Sequence, residues 1–203
     1  MDYIIVVLFS YLSGSIPFGL ILTKVFSGKD IRNVGSGNIG ATNVLRTGNK
    51  YLAGLTLLLD IGKGYIPVVF TQHFFPEQVQ FSALMVFLGH IFPLWIKFKG
   101  GKGVATYLGI LFGLSLSLSI LFIFTWIIVS LIFKFSSLSS MFSSLTVLIV
   151  AVFRENVYDI LNINQINHTN IKLLLFIFFI LIIFTHRKNI SNLKNKTETK
   201  IKI

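Results

Sequence analysis

Two polar segments bring together residue types that bind phosphate groups. The first, NVGSGNIGATNVLR, runs from Asn33 to Arg46, and the second, GHIFPLWIKFKGGKGVAT, runs from Gly89 to Thr106. Glycines let backbone N–H groups approach an anion, arginine offers a planar fork of donors, and a helix start adds further amides. An ordinary glycine-rich turn with basic anchors would have a similar composition. The candidate phosphate ligands are Gly35, Ser36, Gly37, Asn38, Thr42, Asn43, Arg46, Gly100, Gly101, Lys102 and Gly103.

Neither segment fits a nucleotide-binding motif. The first contains G-x-G-x-x-G within residues 35–40, but apolar segments flank it in place of the strand and soluble βαβ unit that the fingerprint needs. The second departs from the Walker A pattern G-x-x-x-x-G-K-[ST]. Trp95 occupies the position of the first glycine relative to Gly100, and Val104 follows Gly103. We expect Lys97 and Lys99 to anchor the loop at the membrane, which leaves Lys102, enclosed by glycines, as the better ligand candidate.

Two further segments carry candidate site residues. THRKNISNLKNKTE, residues 185–198, places His186 and Asn189 three positions apart, so they share a face if the last helix continues through them. A helix-end histidine before a basic tail is also common without any function. SSLSSM, residues 136–141, offers serine hydroxyls as helix caps or as donors, with Ser140 the candidate ligand.

Asp60 and Lys63 lie three positions apart inside an apolar run. Ionisable residues within a membrane are usually paired, so we expect a structural ion pair that supports the site. The histidines at positions 73, 90 and 168 lack the spacing of a ligand cluster, and we expect no metal site. The chain has no cysteine, which excludes disulfides and thiol catalysis.

The elements that must position these residues are transmembrane helices. Of 203 residues, 54% are hydrophobic and 12% charged, with a mean hydropathy of +0.80, whereas a soluble domain has about 25% charged residues. Continuous apolar runs exclude a β-barrel. The apolar segments are 3–26, with a kink expected at Pro17, and 51–71, 80–97, 104–133, 138–153 and 171–185. The fourth exceeds one ordinary span, and Gly109, Gly113 and SLSLS at 115–119 offer a break.

The sequence therefore predicts an all-α polytopic membrane protein with seven transmembrane helices. We expect one domain over residues 1–203, with a partly flexible basic tail over 190–203. With the N-terminus outside and the C-terminus cytoplasmic, 15 of the 18 lysines and arginines lie on the inner side, as the positive-inside rule requires. Six spans would put Lys134 and the basic tail on opposite faces. The four polar segments then share the cytoplasmic face, which predicts one anion-binding site.

Three motifs resemble those of the bacterial acyl-phosphate:glycerol-3-phosphate acyltransferases, the PlsY family. They are GSGNIGATNVLR, GHIFPLWIKFKGGKGVAT and HRKNISNLKNKTE, in family order across the whole chain. The third departs from the family pattern at Asn192 and Lys196, where arginine and glycine are expected. The resemblance implies a seven-helix enzyme of the bacterial inner membrane with a cytoplasmic active site. It would transfer a fatty acyl group from acyl phosphate to the 1-hydroxyl of sn-glycerol 3-phosphate, forming lysophosphatidate as the first step of phospholipid synthesis.

The resemblance also implies residue roles. Ser140 would assist in phosphate binding, Glu198 would support the tail, and the donor's own phosphate would take the hydroxyl proton, with His186 as the alternative base. Neither a Ser-His-Asp arrangement nor H-x-x-x-x-D is present, which disfavours a covalent acyl-enzyme. The expected partners are the two substrates and the bilayer, with no cofactor, nucleic acid or obligate protein partner. The residues expected to hold the substrate phosphates are Ser36, Arg46, Lys102, His186 and Asn189.

Two other functions share the apolar spans and basic loops. A phosphate-ester transporter would need polar residues along a path to both faces, and the external side offers few. A membrane scaffold with lipid-binding loops would tolerate replacement of the glycines at 100, 101 and 103.

Overall fold

The chain is all-helical throughout the part that the structure describes. A computed structural model describes residues 2–160 and 171–201, and these contain no β-strand. Short 3₁₀ turns lie at Ile31–Asn33, Pro76–Gln78 and Leu94–Ile96. The predicted all-α class is confirmed. The helices are α1 (Asp2–Ser15), α2 (Phe18–Ser27), α3 (Ala41–Leu45), α4 (Lys50–Phe74), α5 (Val79–Ile91), α6 (Val104–Leu114), α7 (Leu116–Phe133), α8 (Ser136–Ile160), α9 (Lys172–Thr185) and α10 (Arg187–Lys194).

Several helices are long and apolar enough to cross a membrane. Within the part of the chain that the structure describes, the bent pair α9 and α10 adds a sixth candidate to five others, whereas α6 is apolar but has only 11 residues. At 1.5 Å per residue, α6 is about 16 Å long, roughly half the thickness of a hydrocarbon core. The predicted count of seven spans therefore stays a prediction. The five candidate spans are Asp2–Ser27, Lys50–Phe74, Pro76–Ile96, Leu116–Phe133 and Ser136–Phe153.

The break expected within residues 104–133 is present. Ser115 has an extended backbone and separates α6 from α7. Gly109 lies inside α6, where a Cβ would overlap the carbonyl oxygen of Ile61 on α4, and a Cβ on Gly113 would crowd the side chain of Val68 on α4. These two glycines therefore permit close packing of α4 and α6. Of the three features that offered a break, SLSLS at 115–119 is the one that contains it.

The helices form two compact units, Met1–Ser115 and Leu116–Ile203. In the first unit, α1 packs against α5, and α4 packs against both α6 and α3. In the second unit, α8 packs against α7 and α9. The single domain expected from the sequence stays a prediction. Fully buried side chains include Val68, Val86, Phe87, Tyr107, Ile110 and Leu111 in the first unit, and Val147, Leu175, Phe178 and Ile182 in the second.

Two helix interruptions expose backbone groups that polar side chains then use. Pro17 separates α1 from α2, as a proline without an N–H does within a helix. The nearby carbonyl of Ile16 accepts a hydrogen bond from Lys63 Nζ at 2.7 Å. At the other interruption, α9 and α10 meet at His186 with a bend of 57°. The condition under which His186 and Asn189 would share one helix face is not met, because α9 ends at Thr185 and Asn189 lies in α10.

The described part of the basic tail is tied to the segment before α8. The N–H of Thr197 donates to the carbonyl of Asn192 at 2.8 Å, and the N–H of Ile201 donates to the carbonyl of Lys134 at 2.7 Å. These two bonds hold the described part of the tail at Thr197 and Ile201, and the partly flexible tail expected over 190–203 stays a prediction. The external segment expected at 154–170 begins as the last part of α8, and residues 161–170 lie outside the described residues.

Candidate active site

The side chain of Asn43 organises the loop between α2 and α3. Its Oδ1 accepts a hydrogen bond from the N–H of Ser36 at 3.0 Å. Its Nδ2 faces three backbone carbonyls at 2.7 to 3.2 Å, those of Ile31, Val34 and Asn38. Asn43 is buried, and an amide has only two N–H groups and one carbonyl. This geometry favours support of the loop over the predicted phosphate contact.

The turn at Gly35 and Ser36 carries exposed donors beside Arg46. Gly35 has a φ of +55°, and a Cβ there would overlap Asn43 Oδ1 and crowd Arg46 Cδ, so glycine fits best. Ser36 and Arg46 are exposed, and the Arg46 guanidinium takes part in none of the ion pairs among the described residues. A guanidinium next to an exposed hydroxyl suits a phosphate.

The other predicted ligands of this loop differ in accessibility. Gly37 and Thr42 are exposed. Asn38 is half-buried, and its Oδ1 has no hydrogen-bond partner within residues 2–160 and 171–201. An oxygen acceptor does not bind an anion, so Asn38 fits the predicted role only through its side-chain NH₂ group.

An ion cluster lies before this loop. Arg32 Nη2 lies 2.6 Å from Asp30 Oδ2, and Lys24 Nζ lies 3.8 Å from the same oxygen. The hydrogen bonds from Arg32 hold the pKa of the Asp30 carboxyl well below its usual range, and Asp30 in turn raises the pKa of Arg32. Because Arg32 is paired, Arg46 is the better phosphate-binding candidate.

The GGKG loop, residues 100–103, is fastened to the end of α5. The N–H of Gly100 donates to the carbonyl of Ile91 at 3.0 Å, and the N–H of Gly101 donates to the carbonyl of His90 at 3.1 Å. The prediction that these two amides face an anion does not hold, because both are occupied within the protein. Their glycine identity has another reason, since a Cβ at either position would overlap the end of α5.

Lys102 stands between this fastened part of the loop and the start of α6. Gly103, with a φ of +81°, is the residue immediately before the helix, whose first N–H groups lack intrahelical partners. Lys102 is half-buried, whereas Lys97 and Lys99 are exposed. This difference agrees with the separation of Lys102 from two anchoring lysines. The first turn of α6 and Lys102 together favour an anion.

A small apolar cluster joins the two loops of the first unit. It is formed by buried residues of the first loop and its flanking helices, and Ile96, from the segment before the GGKG loop, packs against it. The loops therefore share a support, which agrees with the prediction that both serve one site. The buried members are Leu20, Leu22, Ile31, Ile39, Val44, Leu52 and Ala53.

The ion pair expected between Asp60 and Lys63 is present. Lys63 Nζ lies 2.8 Å from Asp60 Oδ1, and both side chains are about 3% exposed. Next to this pair, His90 Nδ1 lies 4.0 Å from Asp60 Oδ1 and 3.0 Å from Thr106 Oγ1. Sequence reasoning considered His90 only as a metal ligand and assigned no role to Thr106. Their place at the two ends of the GHIFPLWIKFKGGKGVAT motif was the available signal.

In the second unit, Glu198 accepts hydrogen bonds from three side chains. Ser137 Oγ and Asn189 Nδ2 lie 2.8 and 2.6 Å from Oε1, and Asn192 Nδ2 lies 3.3 Å from Oε2. The carboxylate thus joins the start of α8, α10 and the tail, which is the geometry that the predicted support role requires. Sequence reasoning missed Ser137, which its spacing of three from Ser140 could have indicated.

His186 lies at the bend between α9 and α10 and is buried. Its Nδ1 lies 2.8 Å from the carbonyl oxygen of Ile182, so we assign the proton of the neutral ring to Nδ1. In this tautomer, Nε2 can accept a proton from a hydroxyl or, once protonated, donate to a phosphate.

The hydroxyl of Ser140 already has two partners. It donates to the carbonyl of Ser136 at 2.8 Å and accepts from Trp126 Nε1 at 3.2 Å. Because a hydroxyl has one proton, a bond from Ser140 to a phosphate would require it to leave Ser136. Trp126 was missed from the sequence, although an indole N–H in an apolar helix usually needs an acceptor.

Lys196 has a left-handed backbone conformation, with a φ of +59°. Glycine adopts this conformation without steric cost, which gives a physical reason for the glycine expected here in the PlsY pattern. The departure at Asn192 is accommodated differently, since its amide reaches Glu198.

The family model described as glycerol-3-phosphate acyltransferase matches residues 4–196. The chain belongs to the glycerol-3-phosphate acyltransferase family. A family member of that name from Pelagibacter ubique (strain HTCC1062) is 53% identical over 203 residues, covering 100% of both chains. Another, from Mesorhizobium japonicum, is 46% identical over 198 residues, covering 98% of this chain and 95% of the relative.

The fold is similar to that of PlsY, an integral membrane glycerol 3-phosphate acyltransferase. Its glycerol 3-phosphate form matches with a TM-score of 0.89 and 34% identity, covering 100% of this chain and 96% of that chain. Its lysophosphatidic acid form matches with a TM-score of 0.87 and 32% identity over the same shares. The PlsY resemblance is thereby confirmed, and with it a multi-pass membrane acyltransferase of lipid biosynthesis.

Proposed function

We propose that this protein transfers a fatty acyl group from acyl phosphate to the 1-hydroxyl of sn-glycerol 3-phosphate, forming lysophosphatidate and phosphate. The observation that carries the proposal is the family match over residues 4–196, in which the phosphate-directed motifs are retained. The names of the relatives support acylation of glycerol 3-phosphate. The choice of acyl phosphate as donor rests on the likeness of the three motifs to the PlsY pattern.

Residues of suitable chemistry for this reaction occur in both units. In the first unit, Arg46 and Ser36 at the exposed turn, and Lys102 at the start of α6, are assigned to substrate phosphates. In the second unit, His186 and Asn189 have the same assignment. Both substrates carry phosphate groups, and guanidinium and ammonium donors make the strongest hydrogen bonds to them.

The chemistry needs positioning more than activation, because acyl phosphate already has a good leaving group. The hydroxyl oxygen of glycerol 3-phosphate attacks the carbonyl carbon, and the bond from that carbon to the phosphate oxygen breaks. The hydroxyl proton passes to the released phosphate, with His186 Nε2 as the alternative acceptor. Cations near the phosphates hold both reactants in line and stabilise the developing charge.

We further propose seven membrane helices in one domain, with the N-terminus outside and the C-terminus in the cytoplasm. The basic residues support this orientation, since 15 of 18 lie on the inner side under it. It places the phosphate-directed loops on the cytoplasmic face of a bacterial inner membrane. There a fatty acyl donor from the bilayer can meet a water-soluble acceptor.

The decisive experiment is a product assay with the purified protein. Incubation with acyl phosphate and glycerol 3-phosphate should yield lysophosphatidate, without acyl-CoA or acyl carrier protein. Formation of product only from acyl-CoA would retain the acyltransferase and overturn the donor. If the folded protein forms no product but carries a phosphate ester into proteoliposomes, it is a transporter and not an enzyme.

A further inference from the structure

The end of α5 lies against the GGKG loop, and His90 makes three contacts there. Its carbonyl accepts the N–H of Gly101 at 3.1 Å. Its imidazole packs on Gly101 so closely that a Cβ at that position would overlap Nε2 and crowd the adjacent ring carbons. Its Nδ1 lies 3.0 Å from the hydroxyl of Thr106 in the first turn of α6. His90 therefore contacts the chain on both sides of Lys102.

A buried ion pair lies next to the imidazole. His90 Nδ1 is 4.0 Å from Asp60 Oδ1, and that oxygen is 2.8 Å from Lys63 Nζ, which donates in turn to the carbonyl of Ile16. The side chains of Asp60, Lys63, His90 and Thr106 are all buried. A buried polar group that loses its partner keeps its full desolvation penalty, so each member restrains the others.

We propose that His90 is a positioning residue that sets the distance of the GGKG loop from α5 and, through Thr106, the direction of Lys102. The proposal rests on the proposed function, in which Lys102 binds a substrate phosphate. His90 is buried and acts through its neighbours rather than on the substrate. The ligand whose binding depends on this positioning is a phosphate monoester or an acyl phosphate.

The first test is suppression of a steric defect. Gly101→Ala should raise the KM for at least one phosphate substrate about tenfold, with kcat changed less than about threefold, because a binding interaction common to ground and transition state is lost. His90→Asn removes the ring atoms that the new Cβ meets while retaining a polar group. The double variant should therefore have a KM close to that of His90→Asn alone. Full addition of the two penalties would overturn the proposal.

The second test removes the hydroxyl that His90 contacts. Thr106→Val should raise the KM about tenfold, a change of about 1.4 kcal/mol, and Thr106→Ser should restore it to within about twofold. Thr71→Val is the matched control, because Thr71 is equally buried and its hydroxyl has no hydrogen-bond partner within residues 2–160 and 171–201. It should leave both kinetic constants unchanged. Thr106→Val behaving like Thr71→Val would contradict the proposal.

The third test asks whether the effect passes through Lys102. In a Lys102→Ala background, Thr106→Val should lower kcat/KM by less than about twofold, since the group being positioned is gone. A further tenfold loss would show a separate, merely structural role for Thr106 and overturn the proposal.

Hydrogen exchange at the loop separates this proposal from the proposed function. In the Thr106→Val variant, without substrate, the amides of Gly100 and Gly101 should exchange about tenfold faster than in Thr71→Val. Unchanged exchange overturns the positioning role whether or not the protein turns over acyl phosphate. An inactive wild-type protein overturns the proposed function alone.

Discussion

Replacement of Glu198 by alanine is expected to release the tail from the start of α8. Two side chains, Ser137 and Asn189, donate to one carboxylate oxygen at 2.8 and 2.6 Å. A hydrogen bond to a charged group contributes about 1.5 to 3 kcal/mol, and the lower value applies to a half-buried carboxylate. The two bonds together give about 3 kcal/mol. The population of undocked tail should therefore rise roughly 150-fold.

Hydrogen exchange at Ile201 measures this docking directly, because its N–H donates to the carbonyl of Lys134. In Glu198→Ala this amide should exchange roughly 150-fold faster, while amides in the middle of α7 keep their rates. Glu198→Gln is the control, since its amide oxygen can occupy the same position and keep both short bonds. Asn192 can turn its own amide to accept from the new NH₂ group, so the acceleration should stay below about tenfold.

Two results would refute this reasoning. Unchanged exchange at Ile201 in Glu198→Ala would mean that other contacts hold the tail. Equal acceleration in the alanine and glutamine variants would mean that the carboxylate charge, and not the geometry of its hydrogen bonds, holds Asn189 and Ser137.

Three other substitutions give sharp outcomes. Lys196→Gly removes a left-handed lysine, and it should slow exchange at the tail by an amount corresponding to about 1 kcal/mol; faster exchange would contradict this. Lys102→Ala should lower kcat/KM by about 10- to 150-fold, whereas Lys97→Ala should stay within about threefold; equal losses in the product assay would indicate a general charged surface. Asn43→Asp turns three amide-to-carbonyl contacts into repulsions, so the loop before α3 should lose about 3 kcal/mol of local stability. Limited proteolysis should then cut this loop faster than in the wild-type protein. Cleavage of Asn43→Asp at the wild-type rate would contradict the role of Asn43.

The helices could be predicted because apolar runs of sufficient length allow few alternatives in a membrane. The run 104–133 was too long for one span, and the break at Ser115 followed from that length. The break between α1 and α2 could be predicted from Pro17, because proline has no backbone N–H to continue a helix. The bend at His186 had no such signal, since neither proline nor glycine stands near it.

Side-chain roles were less predictable, because residue type alone does not distinguish a ligand from a support. Asn43 has the donors of a phosphate ligand, yet burial turns them toward the loop. Gly100 and Gly101 have the backbone flexibility that an anion-binding loop needs, yet their N–H groups donate to carbonyls at the end of α5. Lys102 differed from its neighbours in the sequence only by its flanking glycines, and that local signal agrees with its partial burial.

The backbone contacts between α4 and α6 make these two helices respond together to the bilayer. A Cβ on Gly64 would overlap the carbonyl oxygen of Thr106, and one on Gly109 would overlap that of Ile61, so the helices touch at two levels with little side-chain padding between them. Two contacts at different heights along the helices resist both sliding of α4 against α6 and their separation. When a thinner or thicker membrane forces a change of tilt, α4 and α6 should tilt as one body and carry the GGKG loop with them. The acyl-chain composition of the membrane can then change while the spacing between Lys102 and the helices α4 and α6 stays constant.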